Sequence, residues 1–243
     1  MCDLWLGFES QVLDGWGCDS SRVPIQPVCN WTSVTCDSLN CGVITDIVLD
    51  PLARSFNLSG TISSSVGQLT SLTSLVIQNA LFLEEGIPPS IGALTNLISL
   101  TIGSTVLNGT ISLDYQKLTS LTLLDLSDNN LSGTIPDMFY NMRGLSTLNL
   151  NNNQLTGNVP PSICALSNVS QVNMYGNKLS CYPTCLLNAP NPGNTLPVAD
   201  PNALIPGDGG ATYGSRTGNL TKLDARKALD PAGNNICKGE IIF

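Results

Sequence analysis

The chain has 243 residues, of which 42% are hydrophobic, 5% aromatic and only 12% charged; about 25% charged is ordinary for a globular protein, so Ser, Thr and Asn must wet this surface. Its net charge of −8, from 10 Lys and Arg against 18 Asp and Glu, argues against nucleic acid or anionic lipid as the main partner, because both are held by clustered cations. The complete absence of histidine excludes Ser-His-Asp and Cys-His nucleophiles and every His-ligated metal site.

In chain order, the first feature is a cluster of five cysteines, Cys2, Cys18, Cys29, Cys36 and Cys41. The other four, Cys164, Cys181, Cys185 and Cys237, come after a long cysteine-free middle. That distribution predicts disulfide-stapled caps at both ends. Zinc held by thiolates alone needs paired short spacings, and only Cys181-Tyr-Pro-Thr-Cys185 comes near one, so no metal and no cofactor is expected. An odd count leaves one thiol free, buried or paired with another chain. No apolar run approaches the ~20 residues that span a bilayer. The start, Met1-Cys2-Asp3-Leu4-Trp5-Leu6, lacks a basic flank followed by an apolar core, so neither an anchor nor a secretory signal is expected within these residues.

Between the caps the chain repeats. Leu72, Leu97, Leu121, Leu145 and Val169 open segments spaced 25, 24, 24 and 24 residues apart, each with apolar residues at +3 and +5, as in Leu121/Leu124/Leu126. A diverged first turn opens at Ile44 with Ile47 and Leu49. Asn follows at +8 (Asn129, Asn153, Asn177), Leu at +10 (Leu107, Leu131, Leu155, Leu179) and Gly at +12 (Gly109, Gly133, Gly157). Two inward apolar residues around one outward residue make a short strand. Stacked turns at ~4.8 Å then give a parallel sheet of about six strands, ~24 Å long, on a concave face. The Asn amide sits where the chain bends inward and can pair backbone groups that the bend leaves open. Gly suits the tight bend after it, and Pro88, Pro136 and Pro160 enforce an extended return.

The fuller pattern, Leu-x-x-Leu-x-Leu-x-x-Asn-x-Leu-x-Gly-x-Ile-Pro, is complete over residues 121 to 136 and resembles the plant-type extracellular leucine-rich repeat. The resemblance extends upstream, where Cys29-Asn30-Trp31-Thr32-Ser33-Val34-Thr35-Cys36 is similar to that family's Cys-x-Trp-x-Gly-Val-x-Cys cap, with Trp16 ahead of it. It implies that Cys29 pairs with Cys36, and that two or more of Cys164, Cys181, Cys185 and Cys237 close the far end. Departures are visible too: Ser33 stands for the cap glycine, Ala80 and Thr105 for the ladder Asn, and Ser63 and Ser112 for the Pro. Residues 50–56 add four residues to the first turn. The expected fold class is an α/β solenoid, a leucine-rich repeat array with disulfide-bonded caps. It divides into a cysteine-rich N-terminal cap at 1–43, about six turns at 44–180, and a C-terminal cap with a Pro/Gly-rich tail at 181–243.

Outward positions +2, +4, +6 and +7 contain no Lys, Arg or Trp. Tight protein interfaces rest on Trp, Tyr and Arg anchors, so Tyr175 and Leu123 are the anchor candidates. Asp125, Asp128, Asn149, Asn151 and Asn173 complete the candidate ligand-binding set; such a polar lining suits glycan hydroxyls or a peptide backbone. Asp125 with Asp128, and Asp46 with Asp50, are the acidic groups of that face. Nothing in the pattern makes either pair an acid/base dyad, so no catalytic residue is assigned and no enzyme is expected. Six sequons, at Asn30, Asn57, Asn108, Asn130, Asn168 and Asn219, together with the cysteines point to a glycosylating, oxidising route and an extracellular or cell-surface location.

After Cys185 the repeat stops. Pro/Gly-rich sequence from Ala189 to Gly210 reads as a long loop, followed by a short predicted helix at Leu220 to Leu229. Half of the chain's basic residues lie in this tail: Arg216, Lys222, Arg226, Lys227 and Lys238. The resemblance, which is to receptor ectodomains and polygalacturonase-inhibiting proteins, implies an extracellular glycosylated module that recognises a protein or a glycan. The alternative is a structural subunit of a wall, matrix or filament that self-associates through its caps and tail.

Overall fold

The computed structural model describes residues 27–39, 43–54, 58–181, 183 and 185. Cys2, Trp16, Cys18, Cys41 and Cys237, the sequons at Asn57 and Asn219, and the whole tail from 186 lie outside the described residues.

Eleven strands are described: β1 (Val34–Cys36), β2 (Ile44–Leu49), β3 (Ser59–Gly60), β4 (Ser74–Gln78), β5 (Phe82–Leu83), β6 (Ser99–Gly103), β7 (Leu123–Asp125), β8 (Thr147–Asn149), β9 (Thr156–Asn158), β10 (Gln171–Asn173) and β11 (Lys178–Cys181). The main sheet runs β1-β2-β4-β6-β7-β8-β10. Strand β1 is antiparallel to β2 and starts the stack from the cap, and the six strands that follow are parallel. Successive turns pair in register, so each repeat position becomes a column. Ile47, Leu75, Leu100, Leu124, Leu148 and Val172 form one inward column, and Leu49, Ile77, Ile102, Leu126, Leu150 and Met174 the next, none more than 1% exposed. Truncating one such Leu to Ala costs about 2–5 kcal/mol.

The chain closes each turn on the opposite side through a second, thinner ladder. Strand β3 pairs with β5 and β9 with β11, and single bridges join Gly86 to Asn108, Thr110 to Ser132 and Thr134 to Thr156. Short 3-10 turns such as Pro89–Ala93 and Pro161–Ala165 carry the return. Pro88 and Pro160 precede them with extended backbone. Where serine replaces proline, its hydroxyl takes over as cap: Ser63 accepts from the Ser65 amide and Ser112 from the Asp114 amide.

The bend after each sheet strand is held by the asparagine ladder. Asn153 is 2% exposed; its Nδ2 donates to the carbonyls of Leu126 (2.9 Å), Leu150 (3.3 Å) and Asn151 (3.1 Å), and its Oδ1 accepts from the Leu131 amide (2.9 Å). Asn177 repeats the pattern one turn on, with the Leu155 amide on its Oδ1. In the third turn, Thr105 replaces the Asn and relays the same connection. Its hydroxyl donates to Asn129 Oδ1 and accepts from the Leu107 amide. In the second turn, Ala80 offers no side-chain partner, and the Leu83 amide turns back to the Ala80 carbonyl at 3.4 Å.

Both ends carry a disulfide, Cys29–Cys36 and Cys164–Cys185. At the first, Trp31 is 2% exposed and joins the core. Ser33, in the place of the cap glycine, adopts the left-handed backbone at φ 71°. The inserted segment of the first turn contains one α-helical turn, Pro51–Arg54.

The +12 glycines share a left-handed backbone, and two of them are also sterically confined. Gly109, Gly133 and Gly157 lie at φ 82°, 76° and 76°, and a Cβ on Gly133 or Gly157 would stand 2.9 Å from the γ-methyl of Thr110 or Thr134 in the preceding turn. Gly133→Ala is expected to destabilise the fold by about 1–3 kcal/mol through backbone strain and overpacking. Adding Thr110→Ser, which deletes the methyl, should recover part of the loss. Denaturant unfolding of the two single variants and the double variant reads the coupling directly.

Candidate functional site

The register that stacks the core also aligns the outward residues. Asp46, Ser74, Ser99, Leu123, Thr147 and Gln171 form one row across the sheet, and Val48, Val76, Thr101, Asp125, Asn149 and Asn173 the next. The candidates named from sequence therefore share one face over the fourth to sixth turns. Leu123 is half-buried and Tyr175 is 40% exposed at the end of the array. Asp125, Asn149 and Asn173 are half-buried, Asp128 is exposed, and Asn151 is only 4% exposed, leaving it little surface for a ligand.

Hydrogen bonds between turns occupy most of these polar groups. Asp125 Oδ1 accepts from the Ser127 amide (2.9 Å) and hydroxyl (2.6 Å), while Oδ2 accepts from Asn149 Nδ2 of the next turn (3.1 Å). Asn152 Nδ2 donates to Asp128 Oδ1 at 2.7 Å, and Asn173 Nδ2 to Asn151 Oδ1 at 3.4 Å. At the other end, Asp50 accepts from Gln78 (2.8 Å) and Asn79 (3.0 Å), and Asp46 from the hydroxyls of Thr45 (2.8 Å) and Thr73 (3.4 Å). These carboxylates act as rungs between turns.

Asp128 also has a conformational role. The residues at +7, namely Asn79, Ser104, Asp128, Asn152 and Gly176, all have left-handed backbone, with φ between 52° and 67°. Asn, Asp and Gly tolerate that region best, so the bend itself favours an Asp or Asn there, whatever the face binds. Among the described residues, no three metal-ligating side chains come together. None of their helices is long and apolar enough to cross a membrane.

Two outward sets escaped the sequence reading, which followed only the sheet positions. One is a row of hydroxyls at +1: Thr73, Thr122, Ser146 and Ser170 each donate to the main-chain carbonyl of the same position one turn back, at 3.0–3.1 Å. The other is the flank formed by the second ladder, where Asn108, Thr110, Ser132, Thr134, Thr156 and Asn158 are all exposed and none is charged. Their signal was present as Ser, Thr or Asn on both sides of each +12 glycine.

Residues 119–179 match the leucine rich repeat family, and the strand-bend-ladder unit found there recurs along the described array. The solenoid has the leucine-rich repeat fold. The BIR3–SERK2 complex from Arabidopsis thaliana is 28% identical to the chain, with a TM-score of 0.60 over 73% of this chain and 93% of that one. A plant ice-binding protein is 31% identical with a TM-score of 0.60, over 73% of this chain and 56% of that one. The PEPR1–AtPEP1 structure shares the fold at 24% identity and a TM-score of 0.61, over 74% of this chain and 24% of that one. The leucine-rich repeat described here thus spans about a quarter of the PEPR1 chain and just over half of the ice-binding protein. No curated protein matches it in sequence.

Proposed function

We propose that this leucine-rich repeat is an extracellular, non-catalytic recognition module whose sheet face, over the fourth to sixth turns, takes up a protein or glycan ligand. The observation that carries this reading is the interlocked polar face. Asp125, Asn149, Asp128 and Asn152 are fixed by bonds between turns, so binding there orders few side chains and costs little entropy. Leu123 and Tyr175 supply the apolar relief on which an anchor residue can seat. The similar BIR3–SERK2 structure is a complex, which fits a scaffold used for recognition. Two disulfides among the described residues and the exposed sequons at Asn30, Asn108, Asn130 and Asn168 support the secretory route and a glycosylated surface. The test is a peptide and glycan array probed with the intact protein. Leu123→Arg together with Tyr175→Arg should weaken any specific hit by at least ~10-fold, the loss of one modest anchor, with an unchanged thermal midpoint. A hit that survives both substitutions places recognition elsewhere.

A second reading is favoured by the stretch of the flank over the third to fifth turns, where Asn108, Thr110, Ser132, Thr134, Thr156 and Asn158 carry no charge. Thr110, Ser132, Thr134 and Thr156 repeat from turn to turn on a rigid ladder, and the plant ice-binding relative is 31% identical. A periodic row of hydroxyls and methyls on a strand lattice can match an ordered surface such as ice. Recrystallisation of ice should then be inhibited by the unglycosylated protein and restored by Thr134→Tyr with Thr156→Tyr. Glycans at Asn108 and Asn130 should block the effect, because both sequons lie along that flank. Inhibition no greater than that of serum albumin would sink this reading.

A further inference from the structure

The second turn breaks the repeat in several ways at one place. From Leu72 to Leu97 the spacing is 25 residues rather than 24, and the surplus residue lies just before Leu83: Ala80-Leu81-Phe82-Leu83 stands where the fourth turn has Asn129-Asn130-Leu131. Leu83 keeps its place in the buried column at 0% exposed, so the surplus is pushed outward. Leu81 is 60% and Phe82 58% exposed, and Val106 in the next turn adds another apolar side chain at 50%. Isolated exposed apolar residues are ordinary on a surface; a contiguous group rimmed by charge marks an interaction site.

The rim is acidic. The slot filled by Gly109, Gly133 and Gly157 in later turns is Glu85 here, and it keeps the left-handed backbone at φ 63°. A glutamate there is strained where glycine is not, yet it projects a carboxylate next to the apolar group. Glu84 occupies the position of Asn108, Ser132 and Thr156. Both glutamates are exposed, and neither side chain has a partner among the described residues. Leu83, Glu84, Glu85, Gly86, Val106 and Asn108 line a shallow cavity of about 540 Å³.

We propose that this acidic-apolar patch is the docking site of the chain's own basic segment, residues 220–229. An occupant must bring cations interleaved with apolar side chains, and this segment does: Lys222, Arg226 and Lys227 alternate with Leu220, Leu223 and Leu229. The segment lies outside the described residues, so its docking is argued from charge, composition and reach. Lys117, by contrast, is already paired with Asp114. Reach is not limiting. The 34 residues from 186 to 219 extend to at most ~110 Å, whereas the four turns separating the sixth from the second stack over only ~19 Å. Tethering raises the effective concentration of the segment to about the millimolar range, so a contact too weak to hold a free peptide can hold this one. The proposal is independent of what the sheet face binds.

The test is limited trypsin digestion of the full chain, following cleavage after Lys222, Arg226 and Lys227 by mass spectrometry, with cleavage after Arg216 as the reference within the same molecule. Cleavage in the segment should be about tenfold faster, relative to Arg216, in Phe82→Ser and in Glu84→Gln with Glu85→Gln, because proteolysis follows the undocked population. Tyr140→Ser, an exposed substitution elsewhere, should leave the wild-type ratio intact. The charge variant serves if Phe82→Ser alters the thermal midpoint. Equal ratios in all four proteins overturn the proposal. So does protection that disappears on dilution, which would assign the patch to a second copy.

Discussion

Asn153 and its counterparts set the terms for everything else in this solenoid. A chain that bends inward after every short strand strands three carbonyls and an amide in a dry interior, and one buried primary amide answers them all. An unpaired buried backbone group costs about 1–3 kcal/mol, so losing the asparagine would cost several such groups at once. Because its Oδ1 takes the amide of the preceding turn, the ladder also fixes how one turn sits on the next. The apolar columns then stack without offset, and every outward position is repeated in register.

That constraint decides how the exposed residues are to be interpreted. Asp128 looks like a ligand-binding acid until its backbone is considered, since it occupies a left-handed bend shared with Asn79, Ser104 and Asn152. Asp125, Asp46 and Asp50 are consumed as acceptors between turns. A regular array of this kind is mostly scaffold, and the contacts proposed above lie where regularity fails: at the half-buried Leu123, at Tyr175 on the terminal turn, and at the inserted residue beside which Leu81 and Phe82 are exposed. The fold accommodates that insertion because the Leu83 amide finds the Ala80 carbonyl locally.

Much of this architecture was legible in sequence because repetition multiplies a weak signal. The period of the leucines, the asparagine at +8 and the glycine at +12 each correspond to one physical demand, and the structure meets each of them where it was expected. The departures were legible as departures but not as solutions. Thr105 as a relay, Ser63 and Ser112 as caps and Ser33 in a left-handed bend depend on which backbone group comes within reach in three dimensions. The site was harder to read. Following only the sheet positions selected residues by direction, and direction does not reveal that Asn151 is covered or that Asp125 is already paired. The flank was overlooked because its pairing is made of single bridges and very short strands such as β9, so the outward Ser, Thr and Asn on either side of each +12 glycine looked like turn residues.

Native-state hydrogen exchange on the intact protein tests the central claim, that buried side-chain amides lock one turn to the next. The amides of Leu131 and Leu155, which donate to Asn153 and Asn177, should fall in the slowest class and exchange only through global unfolding. Exchange of these two amides as fast as that of the Ser120 and Ser167 amides, which lie on exposed returns, would contradict it.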